Sequence, residues 1–252
     1  MRATTRLRTI HLRRERIKNW DCYPFNVPVI RTLDEIEVRS QVLFLVGENG
    51  SGKSTLLEAI AEKSGFGLEG GSRNFHGTTT PTVQAIMPLS DALRLSWNLK
   101  QIRGFYLRAE SFFNAATYLD AMQAQDPRTL DSYGGKSLHQ QSHGESFLAL
   151  VKNRFHGDGL YLMDEPEAAL SPQRQLSFLA MMHDHLRSNA GAQFIISTHS
   201  PIILAYPQSQ ILSFDGPRIE EIEYRDTAAY RLTESFLRSP ENYLRRLFGE
   251  LF

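Results

Sequence analysis

Short apolar runs recur along the chain, and most of them end in glycine or in a polar turn. Gln41–Val46 is apolar after its first residue and stops at Gly47; Leu160–Met163 stops at two acids; Phe194–Ile196 stops at Ser197-Thr198-His199. Unbroken apolar runs this short read as strands buried on both faces, the kind a parallel sheet uses. Gly104–Arg108 reads as another strand. Helices are expected after Lys53 (Thr55-Leu56-Leu57-Glu58-Ala59-Ile60-Ala61), near Ser111–Gln123, from Ser142 and from Ser171, with a polar loop up to Gln141. Such alternation of strand and helix predicts an α/β fold, a mostly parallel sheet covered by helices on both faces. Residues 1–40 differ. Thr9-Ile10-His11-Leu12 and Phe25-Asn26-Val27-Pro28-Val29-Ile30 alternate in character, which predicts half-buried antiparallel strands. Residues 64–103, rich in Gly, Ser and Thr, are expected to be loops with short inserted strands.

Composition narrows the function classes. The 252 residues carry 28 Lys+Arg against 28 Asp+Glu, so there is no global basic field to attract nucleic acid. A local patch is available, because seven Arg or Lys and one Glu fall between residues 2 and 18 (Arg2, Arg6, Arg8, Arg13, Arg14, Arg16, Lys18). That stretch reads first as a solvated strand face and second as a phosphate contact. One cysteine, Cys22, excludes a disulfide framework and a Cys-based zinc site. No apolar run approaches the ~20 residues of a membrane span. Met1–Arg8 is basic but is not followed by an apolar stretch, and the expectation is a soluble, cytoplasmic protein.

Three motifs carry chemistry. Gly47-Glu48-Asn49-Gly50-Ser51-Gly52-Lys53-Ser54-Thr55 matches G-x-x-x-x-G-K-[ST] between a strand and a helix. Its glycines let successive N–H groups turn toward a phosphate at a helix N-terminus. Lys53 is suited to the β/γ oxygens of a nucleoside triphosphate, and the Ser54 hydroxyl to Mg²⁺. The second motif is the strand Leu160–Met163, which delivers Asp164 and Glu165. Alternation sends them in different directions, so Asp164 suits the metal and Glu165 the attacking water as general base. The third is His199, which follows Phe194–Thr198 at the carboxyl edge of the sheet, where a γ-phosphate would lie.

In this order the motifs resemble the ATP-binding-cassette (ABC) ATPases, over roughly residues 25–215. The family's L-S-G-G-Q signature has its counterpart in Gln141-Ser142-His143-Gly144-Glu145-Ser146, which keeps the Ser and the second Gly. Asp164-Glu165-Pro166-Glu167-Ala168-Ala169-Leu170-Ser171-Pro172 reads closer to stand-alone AAA-family and RecF/SMC-like ATPases than to transporter cassettes, which end that motif in Asp where Ser171 stands. The resemblance implies one ABC-type domain. Its parts are an antiparallel β subdomain (1–40), a P-loop unit (41–64), an insertion and helical lobe (65–141), the signature, acidic strand and switch histidine (142–215), and a C-terminal helical tail (216–252). It further implies ATP and Mg²⁺ as cofactors and an ATP-dependent head-to-tail homodimer, with Ser142 and Gly144 of one chain completing the other's site. The family's Q-loop glutamine has no counterpart after Gly104–Arg108; Glu110 is the stand-in, and Gln84 suits the role poorly. Tyr23, 24 positions before Gly47, stands where transporter cassettes stack adenine, although core packing is the favoured reading for Tyr23 and Trp20. The leading expectation is a soluble ATPase acting on nucleic acid or an effector protein, in repair or phage defence. Only 89 residues separate Lys53 from Ser142, too few for a long coiled coil, and the 53 residues after His199 leave no room for a Toprim nuclease. The alternative is the nucleotide-binding subunit of a membrane permease, and a non-hydrolysing adaptor is disfavoured by Glu165.

Overall fold

A computed structural model describes residues 5–68, 81–98, 103–109 and 143–249. Its strands are β1 (Leu7–Leu12), β2 (Glu35–Glu37), β3 (Val42–Val46), β4 (Leu93–Trp97), β5 (Gly104–Arg108), β6 (Leu160–Asp164), β7 (Gln193–Ser197), β8 (Gln210–Ser213) and β9 (Glu220–Glu221). The helices among these residues are α1 (Pro28–Arg31), α2 (Lys53–Lys63), α3 (Pro81–Ala92), α4 (His143–Arg154), α5 (Pro172–Ser188), α6 (Pro201–Leu204), α7 (Ala228–Arg238) and α8 (Pro240–Phe248).

The main sheet runs β5-β6-β7-β3-β8-β9, parallel throughout except for the β8–β9 pair. Every residue of β3, β6 and β7 is buried, as their unbroken apolar runs require. Strand alternation divides their side chains between two cores. Leu43, Leu45, Leu162 and Ile195 face α2, α3 and the small sheet, while Phe44, Tyr161, Met163 and Phe194 face the α5 side. On α5 the buried positions are Gln175, Phe178, Met182 and His185, a stripe at helical spacing that seals the second core.

The small sheet is antiparallel, in the order β2-β1-β4. Its third strand comes from residues 93–97, inside the stretch expected to be loops with short inserted strands; the α3 helix before it, formed despite Pro88, was not expected. Phe25–Ile30 is not a strand: it forms a turn and then α1, whose first residue is Pro28. Proline has its φ preset for the first helical turn and lacks the N–H a strand would donate. Much of the basic N-terminal stretch serves the fold. Arg6 is buried and its Nε–H donates to the Gly191 carbonyl at 3.1 Å. Arg13 donates to the carbonyls of Asp91 and Leu93, and Arg14 to that of Arg31 at 3.0 Å while lying 4.3 Å from the Trp20 ring centroid. Arg2, Glu110, Gln141, Ser142 and the expected helix near Ser111–Gln123 lie outside the described residues.

Candidate functional site

Three adjacent strands place the three motifs side by side. β7 lies between β3 and β6, with Ser197 in register with both Leu45 and Asp164. The loop after β3, the acids after β6 and the histidine after β7 therefore converge on the carboxyl edge of the sheet, where open α/β sheets bind ligands.

The loop Gly47–Thr55 curls into α2. Gly52 caps that helix at φ +104, and a Cβ there would lie 2.8 and 2.9 Å from the methyls of Val27 and Val29. Only glycine fits both the backbone and the space. Lys53 is buried, and its ammonium donates to the loop's own carbonyls at Gly47 (2.6 Å) and Glu48 (2.9 Å). Burial pushes its pKa down, opposed by the carboxylates of Glu165, Asp164, Asp215 and Glu167. Glu48 N–H donates to the Asp215 carboxylate at 2.8 Å. Ser51 Oγ is buried without a hydrogen-bond partner among the described residues, as is His199 Nε2, and an entering phosphate could satisfy both.

Asp164 ends β6 almost fully buried, and Ser54 Oγ–H donates to its Oδ1 at 3.1 Å. Burial raises its pKa, and the hydroxyls of Ser54 and Ser197 and the nearby Arg108 cation hold the rise back. A hydroxyl and a carboxylate already in contact are a donor set suited to one Mg²⁺. Glu165 and Asp164 do diverge, but more than strand alternation separates them. Glu165 adopts a left-handed backbone (φ 50, ψ 53), rare for a residue with a side chain, and brings its carboxylate 3.7 Å from His199 Nε2. Strain of this kind is found where side-chain direction matters.

Three further residues belong to the site and were not singled out from the sequence. Glu167 accepts from Thr198 Oγ1 (2.7 Å) and from the His199 backbone N–H (2.5 Å), clasping the histidine segment to the acidic loop. Burial raises its pKa against those hydrogen bonds. Arg108, the last residue of β5, bonds Glu58 of α2 at 2.9 Å and lies 3.8 Å from Asp164. Asp215 anchors the loop at Glu48. The available signal was a charged residue at the end of an apolar strand for Arg108 and Asp215, and a third acid beside the pair for Glu167.

Gly144 stands apart from this cluster. In the first turn of α4 it packs on Arg174 and Ala169, where a Cβ would come within 2.5 Å of Arg174 Nη1 and 3.2 Å of the Ala169 carbonyl. Its neighbour Glu145 is paired with Arg174 at 3.0 Å. Tyr23 is half exposed, not in the core, and its hydroxyl is 3.2 Å from Thr55 Oγ1, whereas Trp20 packs on the core beside Phe25.

A cradle of this form, opening at the carboxyl edge of a parallel sheet, is that of a P-loop nucleotide-binding protein. Two AAA-domain family models match the chain. One covers residues 16–76, and the other, whose description reads "AbiEii toxin, Type IV TA system", covers residues 138–205. Among curated proteins, the cytochrome c biogenesis ATP-binding export protein CcmA of Nitrobacter hamburgensis is 30% identical over 192 residues, 73% of this chain and 90% of that protein. Translation initiation factor RLI1 of Saccharomyces cerevisiae is 25% identical over 210 residues, and the match spans 82% of this chain but only 31% of the yeast factor. A solved ATP-binding cassette of an ABC transporter, in its ADP conformation, superposes with a TM-score of 0.49 at 14% identity, covering 97% of this chain and 99% of that one. The chain belongs to the ABC-type P-loop ATPases, a family whose members hydrolyse ATP.

Proposed function

We propose that the chain binds ATP with Mg²⁺ at the loop Gly47–Thr55 and hydrolyses it as an ATP-gated homodimer. Gly47, Asn49, Gly50, Ser51, Gly52 and Thr55 supply loop amides and hydroxyls to the phosphates, and Lys53 the charge for the β/γ oxygens. Ser54 and Asp164 hold Mg²⁺, which neutralises phosphate charge when bound. Glu165 takes the proton of the attacking water, and His199 donates to the γ-phosphate. Tyr23, beside Thr55, is the candidate for the adenine ring. The single observation that carries the reading is the juxtaposition of the Ser54–Asp164 contact with the Glu165–His199 pair.

Ser142 and Gly144 are assigned to the phosphates of the second copy's ATP. Gly144 lies in the first turn of α4, packed on Arg174 of α5, and the trans contact is the one the family resemblance implies. The output proposed for the cycle is work on a soluble effector or on nucleic acid. A second reading, a nucleotide-binding subunit serving a membrane permease, is favoured by the names of the export and import ATP-binding relatives. Mass measurement by light scattering with Mg-ATP tests the dimer, using Glu165→Gln to slow hydrolysis. A protein that stays monomeric at saturating ATP overturns the composite site. Affinity purification of the same variant, with and without ATP, separates a permease from a soluble effector or nucleic acid.

A further inference from the structure

At the end of β3 opposite the P-loop, a cleft of about 930 Å³ opens between the small sheet, the last turns of α5 and the loop before β8. Its floor includes Val42, the first residue of β3, so the length of the strand, about 16 Å, separates it from Gly47. The volume is that of a small-molecule site. Three arginines line it against a single carboxylate, Glu37, a local excess of positive charge on a chain whose formal net charge is zero.

The arginines are not equivalent. Arg39 is paired with Glu221. Arg8 comes from β1 and Arg187 from the last turn of α5, and neither guanidinium has a partner among the described residues. Two unpaired guanidinium groups from distant parts of the chain thus line one concavity, and each is a charge-assisted donor available to an oxyanion. The negative end of the α5 dipole opposes an anion here, and Arg187 is placed to offset it. Gln208, which lines the same cleft, holds a left-handed backbone (φ 58). Among the described non-glycine residues only Glu165, in the catalytic loop, shares that conformation. The Glu37 carboxylate asks for a hydrogen-bond donor on the ligand, which bare phosphate at neutral pH supplies poorly and a sugar hydroxyl or amine supplies well.

We propose that this cleft is a second ligand site that takes a phosphate-bearing molecule of mononucleotide size, with Arg8 and Arg187 on the phosphate and Glu37 on a hydroxyl or amine. The phosphate could belong to a free nucleotide or to the 5′ end of an oligonucleotide; the chemistry at the arginines is the same. The proposal stands independently of the P-loop assignment.

The test is equilibrium dialysis of the Lys53→Ala protein, in which P-loop affinity is lowered, with AMP, a 5′-phosphorylated tetranucleotide and inorganic phosphate as separate probes; binding that remains at the P-loop is insensitive to changes at Arg8 and Arg187. Saturable binding of about one equivalent of AMP or tetranucleotide is expected, weaker for inorganic phosphate. It should fall about tenfold or more for each of Arg8→Glu and Arg187→Glu, the loss of a charge-assisted contact. Tighter binding of the tetranucleotide identifies an oligonucleotide end as the source, and equal binding a free nucleotide. Both side chains are exposed and remote from the P-loop, so the double variant in an otherwise unaltered chain should keep its ATPase rate, which also reports correct folding. Binding indifferent to both reversals, or no saturable binding of any probe at millimolar concentration, overturns the proposal.

Discussion

The roles proposed for Lys53 and Glu165 belong to different steps, and substitution should separate them. Lys53→Ala removes a charged contact to phosphate worth about 1.5–3 kcal/mol, so ATP affinity should drop about 10- to 100-fold in a binding titration. Glu165→Gln keeps the shape and loses the base, so turnover should fall about 10²- to 10⁴-fold with ATP binding retained. Equal binding defects in the two variants would refute this division. Asp164 makes a prediction about pH. Burial raises its folded-state pKa above the unfolded value, so its contribution to stability is fully present below the ordinary carboxylate pKa and is lost as pH rises through the raised one. Asp164→Asn should therefore melt higher than the parent near pH 8 without Mg²⁺, by about 2–4 °C per kcal/mol regained, and show no gain near pH 4. The same variant should be inactive.

At the scale of elements, helix α5 offers a contrast within one turn. Phe178 is fully buried against the sheet while Leu176 is half exposed. Phe178→Ala should cost about 3–5 kcal/mol in thermal or denaturant unfolding, and Leu176→Ala about 0.5 kcal/mol or less. Elements of this kind were legible in the sequence, because strands buried on both faces leave continuous apolar runs and a helix covering them leaves a stripe. The parallel strands β3, β5, β6 and β7 were read within a residue or two. Others were not. Over Phe25–Ile30, apolar and polar positions alternate as they do in a strand, yet Pro28 starts a helix there; α3 lies among residues whose glycines and threonines signal loops. At the candidate site, the loop Gly47–Thr55 was legible because G-x-x-x-x-G-K-[ST] fixes residue types at set spacing, and the acids and histidine because each follows an apolar strand. Arg108 and Glu167 act across 50 and about 30 positions respectively, through contacts that only the sheet order creates, and no local pattern announces such pairs.

For the molecule as a whole, the basic N-terminal stretch illustrates how composition can mislead. Reversing Arg13 and Arg14 to Glu would break bonds to the carbonyls of Asp91 and Arg31 that tie the end of β1 to α3 and α1. A lowered melting temperature is therefore expected from that variant before any effect on nucleic acid can be read. The order β6-β7-β3 has a larger consequence. The acids after β6 and the phosphate loop after β3 are fastened to strands with a single strand between them, and that strand, β7, is hydrogen-bonded to both. The spacing of the strands that lead to Lys53 and Glu165 is therefore set by backbone hydrogen bonds. Amide hydrogen exchange in β3, β6 and β7 should thus require global unfolding and slow with ATP only by the stability that binding adds to the whole fold, while larger, local protection changes are expected in the loops at the sheet edge and in α4. In the proposed nucleotide cycle the sheet is then a rigid anvil, and the motion falls to the loops at its edge and to whatever closes on them.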